Sequence, residues 1–248
     1  MTTRYIDLKD ADGNSIVPNV ILPDGYTINV ATSGGDFTSL QDALNSLNGK
    51  ICSGTITINL AAGTYSIGTT ALVLPKCLCN VLVIQGHSKT DTTISCNWTS
   101  ITWTGVIEVN NSRSYYLNMN NLKFENTGTK QNGTMCLQLM KCNTQLYNLA
   151  FDNFTICYRC YSGGHTIIGG TNTLTNCTTP VLVNQGVVDM TYGARFDCTS
   201  VTTLITMNSG GFVSMNNCKY SGTVTNVTNQ TTGQATANGL ITGVITSA

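Results

Sequence analysis

Charge is what this 248-residue sequence has least of: Asp, Glu, Lys and Arg make up 10% of it, against about 25% in ordinary domains. Basic and acidic residues number 12 each, so the formal charge is zero and no basic groove for nucleic acid is expected. Long apolar runs are missing too. The most apolar stretches, 71–74 and 81–84, are far too short to span a bilayer, so no membrane insertion is expected. The amino end, MTTRYIDLKD, is polar and has no basic segment leading into an apolar run. It does not read as a signal peptide, and synthesis in the cytoplasm is expected. Good helix formers such as Glu, Lys and Ala are scarce, which argues against a helical protein.

What the sequence does have is 40 threonines, 27 asparagines and 24 glycines, a composition of strands separated by many turns. Apolar residues make up 41%, enough for a substantial core. There are 11 cysteines, an odd number in a chain too large to need staples, so buried free thiols are expected rather than a disulfide framework. Cys77-Leu78-Cys79 and Cys157-Tyr158-Arg159-Cys160 lack a second pair at ligand spacing, and only His87 and His165 could supplement them. Neither a metal nor a cofactor is expected.

Residues 1–33 read as an extended leader or attachment arm, with turn signals at Asp12-Gly13 and Asp24-Gly25. Phe37, Leu40, Ala43, Leu44 and Leu47 then fall at helical spacing, which predicts one helix over 36–48, capped by Asp36 or Ser39 and stopped at Asn48-Gly49. Thr55-Ile56-Thr57-Ile58-Asn59-Leu60 alternates with a period of two, as a strand does. Further along, Asn121-Leu122-Lys123-Phe124-Glu125-Asn126 recurs 27 residues later as Asn148-Leu149-Ala150-Phe151-Asp152-Asn153. Weaker echoes follow at Thr175-Asn176-Cys177, Phe196-Asp197-Cys198 and Asn216-Asn217-Cys218.

A repeat of this length without helical periodicity fits one turn of a parallel β-helix, each coil stacked about 4.8 Å above the last. The expected architecture is therefore all-β: a parallel β-helix over 34–220, covered at one end by the short helix and followed by a cap or oligomerisation tail over 221–248. Aligning the echoes stacks Glu125, Asp152, Asn176, Asp197 and Asn217 in one column. Asn126, Asn153, Cys177, Cys198 and Cys218 form the next, with the thiols read as core filling.

Gly35-Asp36-Phe37-Thr38-Ser39-Leu40-Gln41-Asp42-Ala43-Leu44, then Ile56-Thr57-Ile58-Asn59-Leu60-Ala61-Ala62-Gly63-Thr64-Tyr65 and Val83-Ile84-Gln85-Gly86 resemble the opening of pectin-lyase-like β-helices. The resemblance implies a right-handed parallel β-helix with a short N-terminal capping helix. The esterase pattern of that superfamily is absent, Gly163-Gly164-His165 lacks the paired aspartates of polygalacturonases, and only five acidic residues follow Asp91, too few for the carboxylate cluster of a calcium-dependent lyase. The character that remains is closest to bacteriophage tailspike and tail-fibre proteins. By that resemblance the chain is a virion tail component, made without a signal peptide, homotrimeric, attached to other virion tail proteins and recognising a bacterial surface polysaccharide. Two alternatives stand beside it: a polysaccharide hydrolase or lyase, and a purely structural virion segment.

The candidate catalytic residues are Glu125, Asp152 and Asp197. Carboxylates about 5 Å apart on adjacent coils have the separation of a retaining glycosidase pair, whereas a solvated turn position would show the same mixture of Asp and Asn. Trp98, Trp103, Tyr115 and Tyr116 are the candidate sugar-binding rings. Exposed, they would stack on sugar faces; otherwise they pack an outer loop against the coils.

Overall fold

The computed structural model describes residues 21–99, 105–109, 115–190, 193–208, 210–228, 235–236, 239–242 and 245–247. Parallel strands stack into a β-solenoid of about eight turns, so the expected parallel β-helix is what the chain forms. Each coil presents up to three faces. The first face runs through Tyr26–Val30, Thr55–Leu60, Val81–Gly86, Tyr116–Asn120, Asn143–Tyr147, His165–Gly169, Val187–Met190, Gly211–Met215 and Gly239–Thr242. The second begins with Gly63–Gly68, Thr92–Cys96, Lys123–Asn126, Ala150–Asp152 and Thr171–Thr175. The third includes Gly105–Val109, Met135–Met140, Ile156–Tyr161 and Val181–Asn184. The second and third faces merge where Arg195–Asn208 pairs with both Thr171–Thr175 and Val181–Asn184.

Alternation decides which side chains enter the solenoid. In Thr55–Leu60 the residues Ile56, Ile58 and Leu60 are buried and the three between them half-buried, as a period of two requires. Register then turns these residues into axial files. Tyr65, Ile94, Phe124, Phe151, Leu174 and Cys198 lie one above another inside the second face, in steps of 23 to 30 residues. Phe124 and Phe151 stack with ring centroids 5.5 Å apart and planes 13° apart, and Tyr158 meets Phe151 edge-on at 4.7 Å. Each fully buried large side chain of this kind contributes roughly 1.5–3 kcal/mol.

Corners explain the asparagines. Asn121, Asn148 and Asn217 turn the chain from the first face into the second with φ of 56°, 52° and 55°; Asn153, Asn176 and Ser200 turn it from the second into the third with φ of 66°, 50° and 59°. Asparagine tolerates this left-handed conformation better than other residues with a β-carbon. It also bonds along the axis: Asn153 Nδ2 donates to Asn126 O at 2.8 Å, and Asn176 Nδ2 to Asn153 Oδ1 at 2.9 Å. An amide ladder therefore holds the second corner.

The helix is shorter than the spacing predicts, Leu40–Ser46. Asp36 and Phe37 are drawn into strand-like pairing instead: Asp36 Oδ2 accepts from Asn29 N at 2.8 Å and Phe37 bridges Val30. Ser39 is the cap, accepting from Asp42 N, and the helix buries Leu40, Ala43 and Leu44 as it packs on Tyr26–Val30, the end strand of the first face. Tyr26–Val30, inside the expected leader, is the first rung, and Gly239–Thr242 and Ile245–Ser247 continue the stacking beyond 220. Residues 1–20 lie outside the described residues. All eleven cysteines are free thiols, ten of them buried and Cys142 half-buried.

Candidate functional site

The three acids do not share a column. Glu125 pairs with Asp152 on the next coil, as the repeat predicts, but Asp152 then pairs with Thr175, and Asp197 pairs with Thr173. Asp197 thus belongs to a neighbouring file with Lys123, Ala150, Thr173 and Ser221. The cause is the position of the corner. Asp152 sits one residue before its left-handed turn at Asn153, whereas Asp197 sits three before Ser200, so matching Asp-Asn with Asp-Cys slips the register by two. The expected thiol column dissolves for the same reason. Cys198 lies opposite Leu174, Cys177 follows the corner at Asn176 and Cys218 opens its strand, though all three are buried as core filling.

Lys123 occupies the space between the acids, its Nζ 2.8 Å from Glu125 Oε1 and 3.4 Å from Asp152 Oδ2. Burial alone would lower the pKa of this ammonium, but the hydrogen bonds and charges of the two carboxylates outweigh it and the pKa is raised. From the turn at 87–91, Lys89 reaches along the solenoid and donates to Thr171 O at 2.6 Å. Burial lowers its pKa, against the opposing pull of Asp197. A trough of about 260 Å³ lies here, lined by Lys89, Thr90, Lys123, Asp152, Thr173 and Thr175. The charged groups in and beside it are already engaged: Lys89 by a backbone carbonyl, Lys123 by both acids, and Asp197 by the Ser221 hydroxyl at 2.9 Å. The arrangement is a salt-bridged clamp across coils rather than an open pair of carboxylates flanking a bond.

The rings also fall differently from the sugar-stacking expectation. Trp98 is 5% exposed and Tyr115 8%, so neither offers an open face. Asn126 Oδ1 captures the backbone N–H of Trp98 at 2.8 Å and fixes it against the core, while the Tyr115 hydroxyl donates to Pro75 O at 3.2 Å. Tyr116 is half-buried on the first face, and Trp103 lies outside the described residues.

A site that sequence reasoning missed lies on the outside of the first face. Asn29, Asn59 and Gln85 are register partners on its first three rungs, and they line a groove of about 360 Å³ with Gly34, Gly35 and His87. Gly35 is required there: a β-carbon would lie 2.7 Å from Ala31 N and 2.9 Å from Asn29 O. Asn29 leans on Asp36, its Nδ2 3.4 Å from Oδ2, whereas the carboxamides of Asn59 and Gln85 make no hydrogen bond among the described residues. His87 is exposed at the rim and holds Asp91 Oδ2 at 2.7 Å through Nδ1. Alternation in 55–60 already turned Asn59 outward, but only the register shows which amides become its neighbours.

Fold and site together define a parallel β-solenoid with a groove across its first three rungs, lined by carboxamides and by Val30, Ala31, Leu60 and Ala61. Comparison with known proteins adds no family: no family model matches the chain, and no curated protein or solved structure does either.

Proposed function

We propose that this chain is a tailspike-like segment of a phage tail appendage that recognises a bacterial surface polysaccharide. The observation that carries the reading is the outward side of the solenoid, where hydroxyl and carboxamide side chains recur in axial files, as in Thr27 and Thr57 and, beyond Val83 on the next rung, Asn118 and Gln145. Such files offer donors and acceptors at regular intervals to a linear polyol. A tail component of this kind works as a homotrimer joined to other virion tail proteins, after synthesis in the host cytoplasm without a signal peptide. Free thiols throughout the core agree with folding in a reducing compartment.

The depolymerase alternative rests on Glu125 and Asp152 standing on adjacent coils, and the lysine clamped between them weighs against it. Purified capsule or lipopolysaccharide separates the readings. Binding without release of reducing ends is expected; release that disappears in Asp152→Asn would replace recognition with hydrolysis, and a chain that binds none of these polymers would leave only a structural segment. Light scattering at micromolar concentration reads the trimer directly, and a monomeric mass would refute it.

A further inference from the structure

The groove on the first face opens onto a longer strip. Asn29, Asn59, Gln85, Asn120 and Tyr147 are register partners on five successive rungs, a span of roughly 19 Å at the usual strand spacing. Gly169 follows them on the next rung, and a β-carbon there would run into the Tyr147 ring. Glycine at 169 therefore lets the half-buried ring lie along the file. Toward one end of the strip stand the carboxamides of Asn59 and Gln85, in the middle stands Asn120, whose Nδ2 also donates to Asn118 Oδ1 at 3.4 Å, and at the other end lies the Tyr147 ring.

The chemistry of the strip selects its ligand. A carboxamide donates and accepts at once, which suits hydroxyl groups and gives no preference to a charged partner. Among the groove residues only His87 has an ionisable side chain, and it is paired with Asp91. Lys89, in the turn at 87–91, and Lys123, on the second face, would favour an acidic chain, but both are already engaged. A contact repeating at every rung fits a ligand that itself repeats along the axis, and a tyrosine face suits the apolar side of a sugar ring. We infer that this strip is the glycan-binding site, and that its ligand is a neutral linear polysaccharide lying parallel to the solenoid axis on the first face. The inference rests on the recognition reading above and adds to it a place and a chemical class.

The test is a printed array of neutral and acidic bacterial surface polysaccharides, probed with the full chain, with Asn59→Ala/Gln85→Ala, and with Lys89→Met as the second-face control. Both amides point outward from their strand, so the double variant keeps its core, and an unchanged circular dichroism spectrum checks this. The expected result is binding to neutral polymers that weakens by roughly tenfold or more in the double variant, the loss of one or two good hydrogen bonds, and is unchanged in Lys89→Met. Binding that survives the double variant, or that is confined to acidic polymers, overturns the site while leaving glycan recognition standing. No binding to any polymer overturns the recognition reading itself.

Discussion

A cysteine inside the solenoid is a small apolar side chain with a titratable proton, and that proton makes a measurable prediction. Burial raises the thiol pKa of Cys96 and Cys142 to about 12 and that of Cys160 to about 11, against roughly 8.5 in an unfolded chain. Between pH 8.5 and 11 the unfolded chain gives up these protons while the folded chain keeps them. The unfolded state then binds fewer protons, so stability is whole below pH 8.5 and falls as pH rises. Each thiol contributes about 1.4 kcal/mol per pH unit across that window. The thermal midpoint, measured under reductant, is expected to drop steeply from pH 8 to pH 10, and less so in Cys160→Ala. A midpoint that holds level to pH 10 contradicts this account of the core. Residue identity made the burial of these thiols legible in the sequence, since an odd, unstapled set in a β-rich chain has few other uses. The same reasoning left stacking and packing both open for Trp98 and Tyr115, because their inward turn depends on Asn126 and Pro75, brought close by coiling.

At the scale of the element, the corner matters more than the strand. Strands follow from alternation, and their existence was readable in 55–60 and in the repeats around Phe124 and Phe151. Register follows from which residue takes the left-handed turn, and near Asp197 no asparagine marks it: Ser200 takes the corner that Asn153 and Asn176 take on the coils before. Asp197 was misplaced by two positions for this reason alone. Asn153 shows what a corner contributes. Its φ is 66°, and its Nδ2 donates to Asn126 O and Gly128 O, both at 2.8 Å. Asn153→Ala adds left-handed strain to the loss of these bonds and of the one Asn176 Nδ2 donates to Asn153 Oδ1, about 3 kcal/mol in all, while Asn153→Gly loses the bonds without the strain and costs about 2 kcal/mol. Urea midpoints of the two variants are expected in that order. Equal losses would show that the ladder, and not the backbone conformation, fixes the corner. The helix reports the same competition between local and tertiary preference: its apolar spacing was visible from Phe37, but pairing with Val30 claimed that residue for the sheet.

For the molecule as a whole, the outer surface is a product of stacking and of nothing shorter. Asn29 and Tyr147 are 118 positions apart in the chain yet belong to one file, and no window of sequence joins them. The solenoid was therefore legible from its repeats, whereas the groove on the first face was not, since it exists only once the first three rungs are in register. What the stacked surface offers is a set of parallel polar tracks, and on the second face those tracks close on themselves through Lys89 and Lys123. On the first face the carboxamides of Asn59 and Gln85 make no hydrogen bond among the described residues, and it is there that we place the ligand. A crystal of the full chain soaked with an oligosaccharide cut from a polymer that it binds measures this directly. The account predicts density running parallel to the solenoid axis across Asn59 and Gln85 toward Tyr147; density seated instead over Lys89, Lys123 and Asp152, or lying across the rungs, would contradict it.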